Sequence, residues 1–174
     1  MTISDAQRDV RTTFYGGFPG QFVSALIWLA SAAFATWSTP RAAILVLAVG
    51  GMFIYPLTQL LLRLMRRPAA LPKRHPMNAL AIQIAFIVPA CLPLIAAAAL
   101  HHRYWFYPAF LIVVGAHYLP FTFLYGMRQF LLLGGLMIAA GFLTALFTTT
   151  HFALGAWIGA GLLFIFALTG RAAA

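Results

Sequence analysis

The sequence predicts an all-α polytopic integral membrane protein: one transmembrane domain over residues 1–174, a six-transmembrane-helix bundle with N-in and C-in termini. Three observations lead there. Hydrophobic residues make up 63% of the chain and charged residues only 7%, with a mean hydropathy of +0.94, whereas soluble domains carry roughly 25% charged residues. Apolar runs long enough to cross a hydrocarbon core of ~30 Å fall at about 18–38, 42–65, 78–100, 104–126, 129–150 and 152–170. Finally, six spans with an inside amino terminus put Arg8, Arg11, Arg63, Arg66, Arg67, Lys73, Arg74, Arg128 and Arg171 on the cytoplasmic side and only Arg41 and Arg103 outside, a positive-inside bias.

The runs are continuous rather than alternating, which argues for helices, since only helices and closed barrels satisfy their backbone in lipid. The first follows Arg8 and Arg11 and ends in "SAAFA", where Ala33 and Ala35 imitate a signal-cleavage pattern. Its length is that of a span, so it reads as a retained first helix. Gln21, Ser24, Trp28 and Ser31 recur on one of its faces, and the second helix sets Tyr55, Gln59 and Arg63 one turn apart. The longest link, "RRPAALPKRHPMN", leads to the third helix, which holds Gln83, Pro89, Cys91 and Pro93. "YWFY" at 104–107 marks the outer start of the fourth helix, as aromatic belts do. The fifth is smooth with Gly134, Gly135, Ala139 and Gly141, and the sixth carries a GxxxG at Gly155 and Gly159. Such faces let helices approach closely, within the protomer in the simpler arrangement or as a homodimer through the Gly155/Gly159 face in the other. Gly51, Pro56, Thr58 and Leu60 also reappear 64 positions later as Gly115, Pro120, Thr122 and Leu124, either a parallel repeat of a helix pair or, the simpler reading, a coincidence between apolar helices of few residue types.

Composition excludes several chemistries. Asp5 and Asp9 are the only acids and both precede the first span, so the spans offer no paired carboxylates, no acid-rich cation site and no carboxylate proton relay. The net charge of +9 flanks apolar spans, where it sets topology and meets anionic lipid on the cytoplasmic face; nucleic acid is not the implied partner. The single cysteine, Cys91, has no basic neighbour at helical spacing and reads as an inert thiol. His101, His102 and His151 fall in outer loops without an acid to complete a metal site, and no glycine pair has a phosphate-loop context. No catalytic residue, metal or cofactor is implied.

The polar residues inside spans have a common depth. In "GAHYLPFTFLYGMRQF", residues 115–130, Tyr118, Thr122, Tyr125 and Gln129 stack at helical spacing with His117 beside them. At ~1.5 Å per residue, Gln21, Ser24, Gln59, Gln83, Thr122 and Tyr125 lie on the cytoplasmic side of the midplane, with His117 and Tyr118 near it. Polar groups facing lipid without partners cost a few kcal/mol, so these should face one another or water. Prolines 56, 89, 93 and 120 should kink the spans, Pro120 freeing the Ala116 carbonyl. His117 is either a proton acceptor or ligand contact, or a neutral imidazole tying helices together. Arg128 is either a fork for an anionic group or a topology anchor.

"GAHYLPFTFLYG" and "GGFPGQFVSALIWLASA" resemble small multi-pass bacterial membrane proteins of a domain-of-unknown-function family, a resemblance that implies no activity. The reading from the residues is a bacterial-type inner-membrane protein of transporter-like character. Its ligand site would be an inward-facing pocket of Gln21, Gln59, Gln83, His117, Tyr118, Thr122 and Tyr125 with Arg128 at the mouth, suited to a small neutral or anionic molecule or lipid. The competing reading is a structural or regulatory subunit whose polar residues are interhelical contacts.

Overall fold

The computed structural model describes residues 1–147 and 151–172. Among them six helical stretches are long and apolar enough to cross a membrane: Tyr15–Trp37, Pro40–Leu64, Asn78–His101, Arg103–Tyr125, Gln129–Phe147 and Leu154–Ala172. These match the predicted spans to within three residues at their described ends, while the predicted end of the fifth at 150 lies outside the described residues. In chain order the α-helices are α1 (Ile3–Thr13), α2 (Phe18–Trp37), α3 (Pro40–Leu64), α4 (Asn78–His101), α5 (Phe106–Tyr118), α6 (Phe121–Tyr125), α7 (Gln129–Phe147) and α8 (Leu154–Ala172).

Helix α1 departs from the sequence expectation, which places no helix before residue 18. It is a short amphipathic helix that starts with a reciprocal capping box: Thr2 Oγ1 accepts from the Asp5 amide while the Asp5 carboxylate accepts from the Thr2 amide. The Thr2 hydroxyl, donating to the Asp5 carboxylate at 2.7 Å, and then the Thr2 amide hold the exposed Asp5 carboxyl below its ordinary value. Ala6 and Val10 are buried one turn apart, and Gln7 Nε2 donates to the Phe123 carbonyl at 2.6 Å. Helix α1 therefore lies across α6, at the end of the bundle where α2 starts and α8 finishes. His75, buried in the α3–α4 link, stands 3.6 Å from Asp9 on the same helix.

Neighbouring contacts run α3, α2, α8, α7, α5, α4. Only 6% of the most apolar stretch of α3 and 11% of that of α4 is buried, against 33–50% for the other spans, so α3 and α4 are the flanking helices. The core forms around Trp28, which is buried with Phe110 edge-on at 5.6 Å and Tyr107 at 6.2 Å. Small residues let α8 reach it. A Cβ on Gly159 would clash with the Trp28 ring, and one on Gly155 would stand 2.8 Å from Tyr107 Cβ. Gly155 and Gly159 thus pack against Tyr107 and Trp28 of the same chain. Gly115 on α5 and Gly134 on α7 meet in the same way.

A buried polar tie crosses this core. Ser31 Oγ donates to the Ala43 carbonyl at 2.9 Å and accepts from Tyr107 Oη at 2.6 Å, joining α2, α3 and α5. Tyr107→Phe should lower stability by about 1 kcal/mol, the usual worth of an interhelical hydrogen bond, because Ser31 keeps its carbonyl partner. A detergent-solubilised thermal melt of the two proteins checks this.

The prolines behave unequally. Helices α3 and α4 run unbroken past Pro56 and past Pro89 and Pro93. Pro120 alone interrupts a helix, separating α5 from α6, and the Ala116 carbonyl expected to be free accepts from the Leu119 amide at 3.3 Å. A tightened i to i+3 turn takes up the orphan.

Candidate functional site

The break at Pro120 alters the polar stripe. Helix α6 lasts only five residues and ends at Gly126, whose φ of 65° closes it in the left-handed conformation with the cap amide bonded to the Thr122 carbonyl. Gln129 consequently opens α7 instead of continuing the face of Tyr118, Thr122 and Tyr125. The reversal wraps aromatic rings around the fully buried Phe130: Tyr125 at 4.9 Å, Phe121 at 5.5 Å and Tyr118, stacked, at 6.2 Å. His117 packs edge-on against Phe121 at 5.0 Å and Tyr118 at 5.6 Å, with its Nδ1 buried and unpartnered among the described residues.

Across from these rings lies α2. Gln21 is 2% exposed, and neither Oε1 nor Nε2 of its amide finds a hydrogen-bond partner among the described residues. One turn on, the buried Ser24 lies beside the Tyr118 hydroxyl. Gln129 faces the same region from α7, its Oε1 accepting from Thr169 Oγ1 of α8 at 3.4 Å and its Nε2 buried without a partner. Gly170 is where these groups converge. A Cβ there would stand 2.8 Å from Gln129 Nε2, 2.9 Å from the Gly16 carbonyl and 3.4 Å from Gln21 Oε1, so any side chain at 170 would displace an amide. Gly16 and Gly17 have φ of 63° and 83°, a left-handed pair that turns the chain from α1 into α2 and that glycine adopts without strain.

The fold thus brings Gln21, Tyr118 and Tyr125 together with Ser24 and Gln129 at the end of the bundle that bears α1. Thr122 turns its Oγ1 into the protein without a partner among the described residues. Of the other residues expected in the pocket, Gln83 is exposed on α4, Gln59 is half-buried on α3, and Arg128 is exposed in the turn before α7. Sequence reasoning overlooks Thr169, Gly170 and Gly16, because a glycine that makes room for two distant amides leaves no local signature. Two open grooves of about 230 and 320 Å³ run along α2, and both are lined by apolar side chains rather than by the polar cluster.

These features define a class: a membrane-embedded helical protein of six candidate spans, closed at one end by an amphipathic helix and carrying buried amides inside the bundle. The model of DUF7010, a family of unknown function, matches residues 3–171, and the chain belongs to that family. No curated protein and no solved structure matches it.

Proposed function

We propose that this protein binds a small neutral or anionic polar molecule inside the membrane, at the cluster of Gln21, Gln129, Ser24 and Tyr118, and that it is transporter-like. The observation that carries the reading is the Gln21 amide. A primary amide buried without partners in a bundle core costs several kcal/mol, which a ligand with its own donor and acceptor would offset. Hydroxyls and amides suit such a ligand better than a cation, and the acids Asp5 and Asp9 both lie in α1 rather than in a span. The charge bias supports an inner-membrane location with the α1 end facing the cytoplasm. His117, Thr122 and Tyr125 border the cluster in this reading, Arg128 serves at its approach, and Gln59 and Gln83 stand outside it.

The Ser31–Tyr107 tie favours a second reading, in which every intramembrane polar group is interhelical glue and the protein is a structural or regulatory subunit. One experiment separates the two. In a Cys91→Ala background, Ser24→Cys is treated with a membrane-impermeant maleimide from each side of right-side-out and inverted vesicles. Labelling from the α1 side alone is expected of a ligand site that opens to water there, and labelling from both sides of alternating access. An unreactive thiol in a folded, inserted protein would overturn the ligand reading and leave the structural one.

A further inference from the structure

We infer that the groove between α2 and α3 is a binding site for one anionic phospholipid, with an acyl chain in the groove and the phosphate held by Arg67 and Arg171. The groove has a volume of about 230 Å³ and an entirely apolar lining, running from Ile27 and Leu57 in its inner part to Phe22 and Leu64 at the α1 end. Hydrocarbon is the only chemistry it can take. Its α1 end is ringed by cations. Arg67 holds its guanidinium 4.6 Å over the Tyr15 ring, and Arg171 at the end of α8 holds its own 5.6 Å over Phe18. Phe18 in turn stacks at 5.4 Å on Phe22, a wall of the groove.

Two further observations point to an anion at that mouth. The acids that might neutralise these arginines are engaged elsewhere: Asp5 in the cap of α1, and Asp9 beside His75. The chain also holds two non-glycine residues at positive φ among those described, Tyr15 at 50° and Arg66 at 56°: the first carries the Arg67 guanidinium on its ring and the second immediately precedes Arg67. Arg66 ends α3 in the left-handed conformation, with the Arg67 amide donating to the Leu62 carbonyl at 2.9 Å, and the turn brings Arg67 back onto Tyr15. Unfavourable backbone of this kind recurs where a ligand is clamped. Forked guanidiniums stacked on rings are pre-organised to take phosphate oxygens. This lipid site is separate from the Gln21–Gln129 cluster and stands without it.

The test is native mass spectrometry of the delipidated full chain in detergent, titrated with dioleoylphosphatidylglycerol or dioleoylphosphatidylcholine. The first lipid adduct should form at least about tenfold more tightly with the glycerol headgroup, the order expected of two or more cations meeting one phosphate lipid. Arg67→Ala/Arg171→Ala should bring the two lipids level, Leu61→Trp should weaken both by filling the groove, and Arg41→Ala/Arg103→Ala, at the other end of the bundle, should change neither. Equal affinities in the unmodified protein would overturn the inference, and that comparison decides alone if a variant fails to fold. So would an equal loss in the Arg41/Arg103 control, which would mean diffuse attraction. Displacement of the lipid by equimolar glycerol 3-phosphate would also overturn it, by showing a free-phosphate site that needs no acyl chain.

Discussion

Gly115→Ala is expected to destabilise the bundle by about 2–3 kcal/mol, at the upper end of ordinary overpacking. The added methyl would stand 2.7 Å from the Gly134 carbonyl oxygen and 2.9 Å from the Ile138 amide nitrogen, both backbone atoms of α7. Backbone cannot rotate away as a side chain can, so α5 and α7 must move apart along their contact. The relation is reciprocal, because a Cβ on Gly134 would stand 2.7 Å from the Gly115 carbonyl. Once either glycine is substituted the helices have already separated, so the Gly115→Ala/Gly134→Ala pair should cost less than the sum of the single changes. Between helices in lipid, close packing is the main attraction available, and nothing compensates for its loss. Gly135→Ala and Gly51→Ala meet no atom within 4 Å and should leave stability within about 0.5 kcal/mol. Thermal melts of the unmodified protein, the two single variants, their pair and the two controls in one detergent decide the matter.

Gln21→Met should do the opposite, raising the stability of the ligand-free protein by about 1–3 kcal/mol, the desolvation cost of an amide left unpaired. Methionine has a similar length and volume but nothing to desolvate, so the packing around residue 21 changes little. The same substitution should abolish binding of any ligand that the unmodified protein is shown to take up. Gln83→Met is the control, since that amide is exposed on α4 and should report no gain of this size. Loss of stability in Gln21→Met would show that the amide is bonded in the membrane, and the ligand-site reading would fall with it.

The spans were legible in the sequence because their signal is length and continuity, and lipid demands both. Angular placement was not, and the reason is physical. A helix in lipid is apolar on its outer face as well as its inner one, so the periodicity that orients a helix in water is nearly absent from α4, α5 and α7. Depth along the axis could be counted for Gln21 and Gln83 alike, yet only Gln21 turns into the bundle. Helix α1 is the converse case. Its charged face gives a strong period, Ala6 and Val10 repeat at four residues, and Thr2 with Asp5 spells a capping box, so the signal was present but overshadowed by the apolar runs. The break at Pro120 was half legible: proline marks the place, but three other intramembrane prolines leave their helices unbroken. Gly126, three residues short of Gln129, is what moves that glutamine onto the next helix.

The pairing of α2 with α8 also sets an order of assembly. Trp28 leaves the ribosome with the first of the six candidate spans described, well before Gly159, which receives its ring and lies in the sixth. Until synthesis reaches α8 the Trp28 ring has acyl chains rather than a glycine notch on that side, and the Phe123 carbonyl that anchors Gln7 emerges 116 residues after its partner. The spans must therefore be inserted as independent helices and condense afterwards, the second stage of a two-stage process. The Trp28 side of the core closes last, and until then the helices are held in register by the bilayer and by the contacts that need no α8, the Ser31–Tyr107 tie and the Gly115–Gly134 approach.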